Sequence, residues 1–199
     1  MENYPENPEI HKQTRHQKES FIFETIKFIF LALIIVMPIR IFIAEPFVVS
    51  GASMDPSFHD GQYLIVDRIS YRVSDPARGD VVIFEPPVDP DRYYIKRIIG
   101  LPTETIEIHG TNITVKNSEY PDGFKLDESF VSSDNQKYDE LTITLKNDQY
   151  FVMGDNRKAS SDSRIWGPVK RTAIVGKPAL RLFPVNAIST YPGKVSFLK

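Results

Sequence analysis

Residues 93–100 read YYIKRIIG, and the fold turns on whether that run is a strand. Aromatic and β-branched side chains fill it, and such residues suit a pleated, half-buried surface better than a helix. In alternation Tyr94, Lys96 and Ile98 share one face, while Ile95, Arg97 and Ile99 take the other. If the face of Lys96 turns inward, its ammonium is partly desolvated and its pKa falls. A fall from about 10.4 to about 8 corresponds to roughly 3 kcal/mol, which a folded β core can absorb. A neutral amine is then available as a base. Taken alone, an exposed strand face is the commoner setting for a lysine.

On either side the same composition recurs between turn signals. Strands are predicted over 47–50, 62–69, 80–84, 105–109, 112–117, 141–145, 149–154 and 173–183, separated by stretches such as DPARGD (75–80) and EPPVDPD (85–91). EIHGTNITV (107–115) has a hairpin's outline, with His109 to Asn112 at its tip. After Pro46 no helical apolar stripe longer than about two turns interrupts the series. The expected class is therefore mainly β over residues 46–199. Residues 118–140 are polar and weakly patterned, and are expected to form a peripheral insert with no catalytic role.

Composition narrows the function. With 41% hydrophobic residues among 199, the chain can build a core for one domain plus appendages. A net charge of −2 offers no basic face, so no nucleic-acid partner is expected. There are no cysteines, which excludes disulfides, thiolate metal sites and a cysteine nucleophile. Covalent catalysis must then use oxygen or nitrogen. A calcium loop starting at Asp155 fails because Arg157 occupies its third position, and no metal or cofactor is expected.

The N-terminal part has a different character. Residues 21–44, FIFETIKFIFLALIIVMPIRIFIA, are mostly apolar, and 24 residues of helix reach about 36 Å against a hydrocarbon core of roughly 30 Å. Lys27 and Arg40 can snorkel toward opposite interfaces. The expectation is a tail over 1–20, a single transmembrane anchor over 21–45, and the bilayer as a partner. A cleavable leader is disfavoured, because Ala44 has Phe42 two residues before it where a small residue is needed. Lys12, Arg15, Lys18 and Lys27 lie on the N-terminal side against Arg40 alone before Arg68, which puts the N-terminus in the cytoplasm and the β domain outside.

Ser53 lies nine residues beyond Ala44, in SGASMDP (50–56). A hydroxyl on a tight turn is a nucleophile if a neighbour removes its proton. His59 and His109 both fit solvated turns, which leaves Lys96 as the alternative base. GDNRKASSDSRIWG (154–167) adds Asp162 and Arg164 as a charge-assisted pair, and a buried Ser160 hydroxyl there can orient an amine. An ordinary solvated loop is the plain alternative.

Taken jointly, the apolar segment, SMDPSF (53–58), RGDVVIF (78–84), YYIKRIIGLP (93–102) and GDNRKASSDSR (154–164), in this order, resemble the bacterial type I signal peptidases. The resemblance implies a mainly β, membrane-anchored serine endopeptidase with a Ser-Lys dyad. It implies removal of signal peptides from exported preproteins after small residues at positions −1 and −3. Ser53 matches the nucleophile and Lys96 the general base; Ser160 matches the hydroxyl that orients the lysine, and Asp162 and Arg164 match a supporting polar pair. Gly154, Asp155, Asn156 and Arg157 match a loop that shapes the site, and Met54 and Pro56 match the turn that follows the nucleophile. Some members place an oxyanion-hole serine two residues before the nucleophile, where this chain has Gly51. The Ser53 N–H remains a candidate donor beside a second one, and Gly51 lets backbone approach a scissile carbonyl. EPFVV (45–49) offers an extended wall for a substrate strand. Competing readings are a specialised peptidase with few substrates and an inactive membrane-tethered binding module.

Overall fold

The run at 93–100 folds as a strand over Tyr94–Gly100, and from Lys96 onward every residue is buried, so both of its faces are covered. The exposed-face reading of Lys96 therefore fails. The computed structural model describes residues 23–34, 36 and 44–195.

The chain divides into two units between Ile43 and Ala44. In the first, residues 23–34 form a helix, α1, whose apolar side chains are exposed, Phe23 to 70% and Phe28 to 72%. Among the described residues no helix is long and apolar enough to cross a membrane. The predicted tail and the predicted anchor's residues 21–22, 35 and 37–43 lie outside the described residues.

In the second unit the strands are β1 (Ala44–Val48), β2 (Tyr63–Asp67), β3 (Val81–Phe84), β4 (Tyr94–Gly100), β5 (Thr105–Gly110), β6 (Asn112–Lys116), β7 (Phe124–Lys125), β8 (Asp139–Thr144), β9 (Gln149–Met153), β10 (Val169–Lys170), β11 (Ile174–Phe183) and β12 (Ser189–Thr190). Two one-turn helices, α2 (Ser70–Val73) and α3 (Ser163–Trp166), sit between them. Ala44 and Glu45, expected to end the anchor, instead open β1, where they pair with Asp67 and Val66.

One sheet runs in the order β1-β2-β11-β3-β4-β9-β10, with β12 added to β11, and the other in the order β7-β6-β5-β8. In the second sheet the period of two is regular. Ile106, Ile108, Ile113 and Val115 point inward, while Glu107 and Lys116 pair on the outer face at 2.7 Å. β4 is the wall that both cores share. Ile98 packs with Val82, Phe84 and Val152 on one side, whereas Ile99 packs with Ile106, Phe151 and Met153 on the other. At Gly100 a Cβ would stand 2.7 Å from Ile106 Cδ1 and 2.9 Å from Leu145 Cδ1, so a side chain there would push both aside. A third cluster, Val49, Met54, Phe58, Leu64 and Val81, lies under the turn that carries Ser53.

Candidate active site

The Ser53 turn is held by its apolar neighbours. Met54 and Phe58 are 1% and 0% exposed, and burying each contributes roughly 1.5–3 kcal/mol. The Phe58 N–H donates to the Met54 carbonyl at 2.9 Å, and the Asp55 N–H to the Ala52 carbonyl at 3.2 Å. Pro56 is exposed on the same turn. With Met54 drawn inward, Ser53 is left half-buried beside a cleft of about 420 Å³. Phe47, Val49 and Leu64 line one part of the cleft, and Tyr93, Ile95 and Lys96 line another. β1 is the terminal strand of its sheet, so an extended peptide can add to it.

Lys96 Nζ lies 2.7 Å from Ser53 Oγ and 2.9 Å from the Ile95 carbonyl oxygen. The Tyr94 ring centroid is 5.5 Å away. Burial lowers the lysine's pKa to about 8, while the charges of Asp162 and Asp155 act in the opposite direction. A neutral amine accepts a hydrogen bond from the Ser53 hydroxyl, whereas an ammonium donates one. The two histidines weighed as bases are exposed and bonded elsewhere, His59 to Asp55 and His109 to Glu140.

The 154–164 loop reaches the site through β9. Gly154 permits the approach, because a Cβ there would overlap the Ser53 carbonyl oxygen and the Ser160 hydroxyl. The Asn156 N–H then donates to the Ser53 carbonyl at 3.1 Å. Asp162 caps α3 and accepts from Arg164 Nε and Nη2, both at 2.8 Å, and from the Gly154 N–H at 3.1 Å. Burial pushes the Asp162 carboxyl up, but the bonds and charge of Arg164, with the Ser160 hydroxyl and the Gly154 amide, outweigh it and leave the pKa below the usual value. Ser160 Oγ thus lies near enough to Asp162 to favour its charged form, although it makes no hydrogen bond of regular geometry. The bonds of Lys96 go to Ser53 and Ile95 and not to Ser160. The Gly51 N–H donates to Asp60 Oδ1 at 2.7 Å, which commits it to the turn.

Sequence reasoning missed the partner of Arg97. Its guanidinium and the Asp155 carboxylate are fully buried and joined by two bonds, Nε to Oδ1 at 2.8 Å and Nη2 to Oδ2 at 2.6 Å. The remaining donors reach the Gly79 and Gly193 carbonyls at 2.9 and 2.6 Å and Ser57 Oγ at 3.3 Å. A second cation inside an apolar strand was the signal, because a buried guanidinium needs a buried carboxylate. The insert is also less peripheral than expected. Its Glu128 pairs with buried Arg157, whose Nε donates to the Gly154 carbonyl at 2.9 Å, and its Asp139 bonds Arg164 Nη1 at 2.6 Å.

A serine hydroxyl against a desolvated amine, beside a cleft with an open strand edge, is the arrangement of a serine peptidase on a mainly β frame. The chain belongs to the signal peptidase family, peptidase S26, which matches residues 22–183. It is 34% identical over 173 residues to the probable signal peptidase I-1 of Synechocystis sp., covering 83% of this chain and 85% of the relative. It is 36% identical over 176 residues to the signal peptidase I P of Bacillus subtilis subsp. natto, covering 86% and 95% respectively. A solved signal peptidase I from Enterococcus faecalis V583 aligns with 30% identity over 53% of this chain and 97% of that one, with a TM-score of 0.45.

Proposed function

We propose that this protein is a membrane-bound type I signal peptidase that cleaves exported preproteins after small residues at −1 and −3, using Ser53 as nucleophile and Lys96 as general base. The 2.7 Å contact between Lys96 Nζ and Ser53 Oγ, made by a lysine whose burial lowers its pKa to about 8, carries this reading. Neutral Lys96 accepts the Ser53 proton as Oγ attacks the scissile carbonyl, and the Ser53 N–H is the candidate donor to the developing oxyanion. The resulting ammonium returns its proton to the leaving amine, and the carbonyl stays on Ser53 as an ester. Lys96, neutral again, takes a proton from the water that hydrolyses the ester and gives it back to Ser53.

The substrate enters as a strand along β1, so its −1 and −3 side chains point to the same side. Asp162, Arg164 and the Gly154–Arg157 loop support the base and the turn. Residues 21–43 anchor the enzyme. The exposed apolar side chains of α1 fit such an anchor, and the excess of basic residues on its N-terminal side favours a cytoplasmic N-terminus and an extracytoplasmic peptidase domain. An inactive binding module would have no use for a serine and a buried lysine in hydrogen-bond contact.

The test is cleavage of a preprotein whose signal ends in Ala-x-Ala by detergent-solubilised wild type, Ser53→Ala and Lys96→Ala, with the cut located by mass. Wild type should cut after the −1 alanine, Ser53→Ala should be inactive, and Lys96→Ala should lose at least about 10²–10⁴ in kcat. Unchanged cleavage in either variant would undo the dyad.

A further inference from the structure

The insert that sequence patterning left without a role touches the two loops that make up the site. Asn135 ends a single 3-10 turn over Ser133–Asn135, and its own N–H is tied back to the Ser132 carbonyl at 2.9 Å. Its side-chain Nδ2 donates to the Asp55 carbonyl at 3.0 Å, across 80 residues of chain. Its backbone carbonyl accepts from the Lys158 N–H at 3.3 Å. One residue therefore bonds the Ser53 turn through its side chain and the 154–164 loop through its backbone. The circle is closed by the Asn156 N–H on the Ser53 carbonyl.

The rest of the insert gives this residue a firm base. Glu128 is paired with buried Arg157, Val131 is buried, and the Phe130 ring lies 4.4 Å from the Arg97 guanidinium carbon while packing against the core shared with β4. The Ser53 turn is also held at Ser57, whose carbonyl accepts from Arg181 Nη2 at 2.7 Å and whose hydroxyl accepts from Arg97 Nη2 at 3.3 Å, but its Asp55–Pro56 corner is less tied. Asp55 is only half-buried, Pro56 is exposed, and the Asp55 carboxylate is engaged with exposed His59. The Asp55 carbonyl lies two residues from the attacking oxygen, nearer than Ser57, so a lateral bond there limits movement of that corner. Displacement of a reacting group by about 1 Å can cost on the order of 10²-fold in rate. A carbonyl partner also fixes the orientation of the Asn135 amide, since only its NH₂ side can donate.

We propose that Asn135 is a positioning residue that locks the Ser53 turn to the 154–164 loop, with the polar insert serving as the brace that carries it. The proposal rests on the reading of Ser53 as the nucleophile. It is tested by measuring kcat, KM and the thermal midpoint of the full-length enzyme on the Ala-x-Ala preprotein for Asn135→Ala and Asn135→Asp. Asp134→Asn, an exposed neighbour on the same 3-10 turn, is the control, and Ser53→Ala is run in parallel. Both Asn135 variants should lose about tenfold or more in kcat, with KM within about twofold and the midpoint near that of wild type. Asn135→Asp should be at least as impaired as Asn135→Ala, because it keeps the shape but turns an acceptor toward the Asp55 carbonyl. Asp134→Asn should behave as wild type. If Asn135→Ala does not fold, the near-isosteric Asn135→Asp decides. A kcat within twofold of wild type, or a loss that appears only together with a lowered midpoint, would overturn the positioning role while an inactive Ser53→Ala left the nucleophile intact. Cleavage surviving in Ser53→Ala would overturn both.

Discussion

Lys96 can act as a base near neutral pH because its surroundings penalise its charge more than they favour it. Its pKa is lowered to about 8, and the form able to take a proton from Ser53 is the neutral amine. The sign follows directly: kcat/KM, which reports the free enzyme, should rise about tenfold per pH unit below 8 and level off above it. Initial rates on a soluble signal-sequence peptide between pH 6 and 9.5 check this, and a flat profile through pH 8 would exclude a titrating Lys96. Ser53 and Lys96 were legible because each breaks a local pattern, a small hydroxyl leaving an apolar run and a cation within a β-branched strand. Glu128 and Asn135 were not. Their partners lie 29 and 80 residues away, and a weakly patterned stretch carries no local mark of what it will meet.

β4 does more than hold the lysine. Two consecutive cations on one strand face opposite ways, Lys96 toward Ser53 and Arg97 toward Asp155, so one strand fixes both Lys96 and the loop after β9. Removing one partner of a fully buried pair leaves an uncompensated charge, which typically costs about 3–5 kcal/mol. Arg97→Ala should therefore lower stability by that amount in chemical denaturation, and Arg97→Met combined with Asp155→Leu should recover part of it. Wild-type stability in Arg97→Ala would mean the pair is dispensable, and equal losses in the single and double variants would mean that the unpaired charge is not what costs. At this scale the long strands were legible to within two or three residues, from β-branched runs bounded by Gly, Pro and Asp. β7, β10 and β12 are two residues each, too short for a period to register. The insertion of β11 between β2 and β3 was also beyond reach, since pairing order depends on contacts distant in sequence.

Across the whole molecule, the three buried clusters all lie within the second unit, so the peptidase domain contains its own core. Deleting residues 1–43 should leave kcat on a soluble peptide within a few-fold of wild type. Cleavage of a preprotein embedded in vesicles should fall by about 10²–10⁴, the loss expected when two partners no longer share a surface. Equal losses on both substrates would show that the deleted residues serve the domain's folding instead.

The topology also imposes an order in time. Ser53 and Lys96 are made early, yet β11, which joins β2 to β3, is not available until residue 183, and Arg97 finds one of its carbonyls only at Gly193. A growing chain thus carries both groups from residue 96 to residue 183 without the frame that aligns them. Where the late strands are encoded therefore sets when Ser53 and Lys96 gain the frame that holds them.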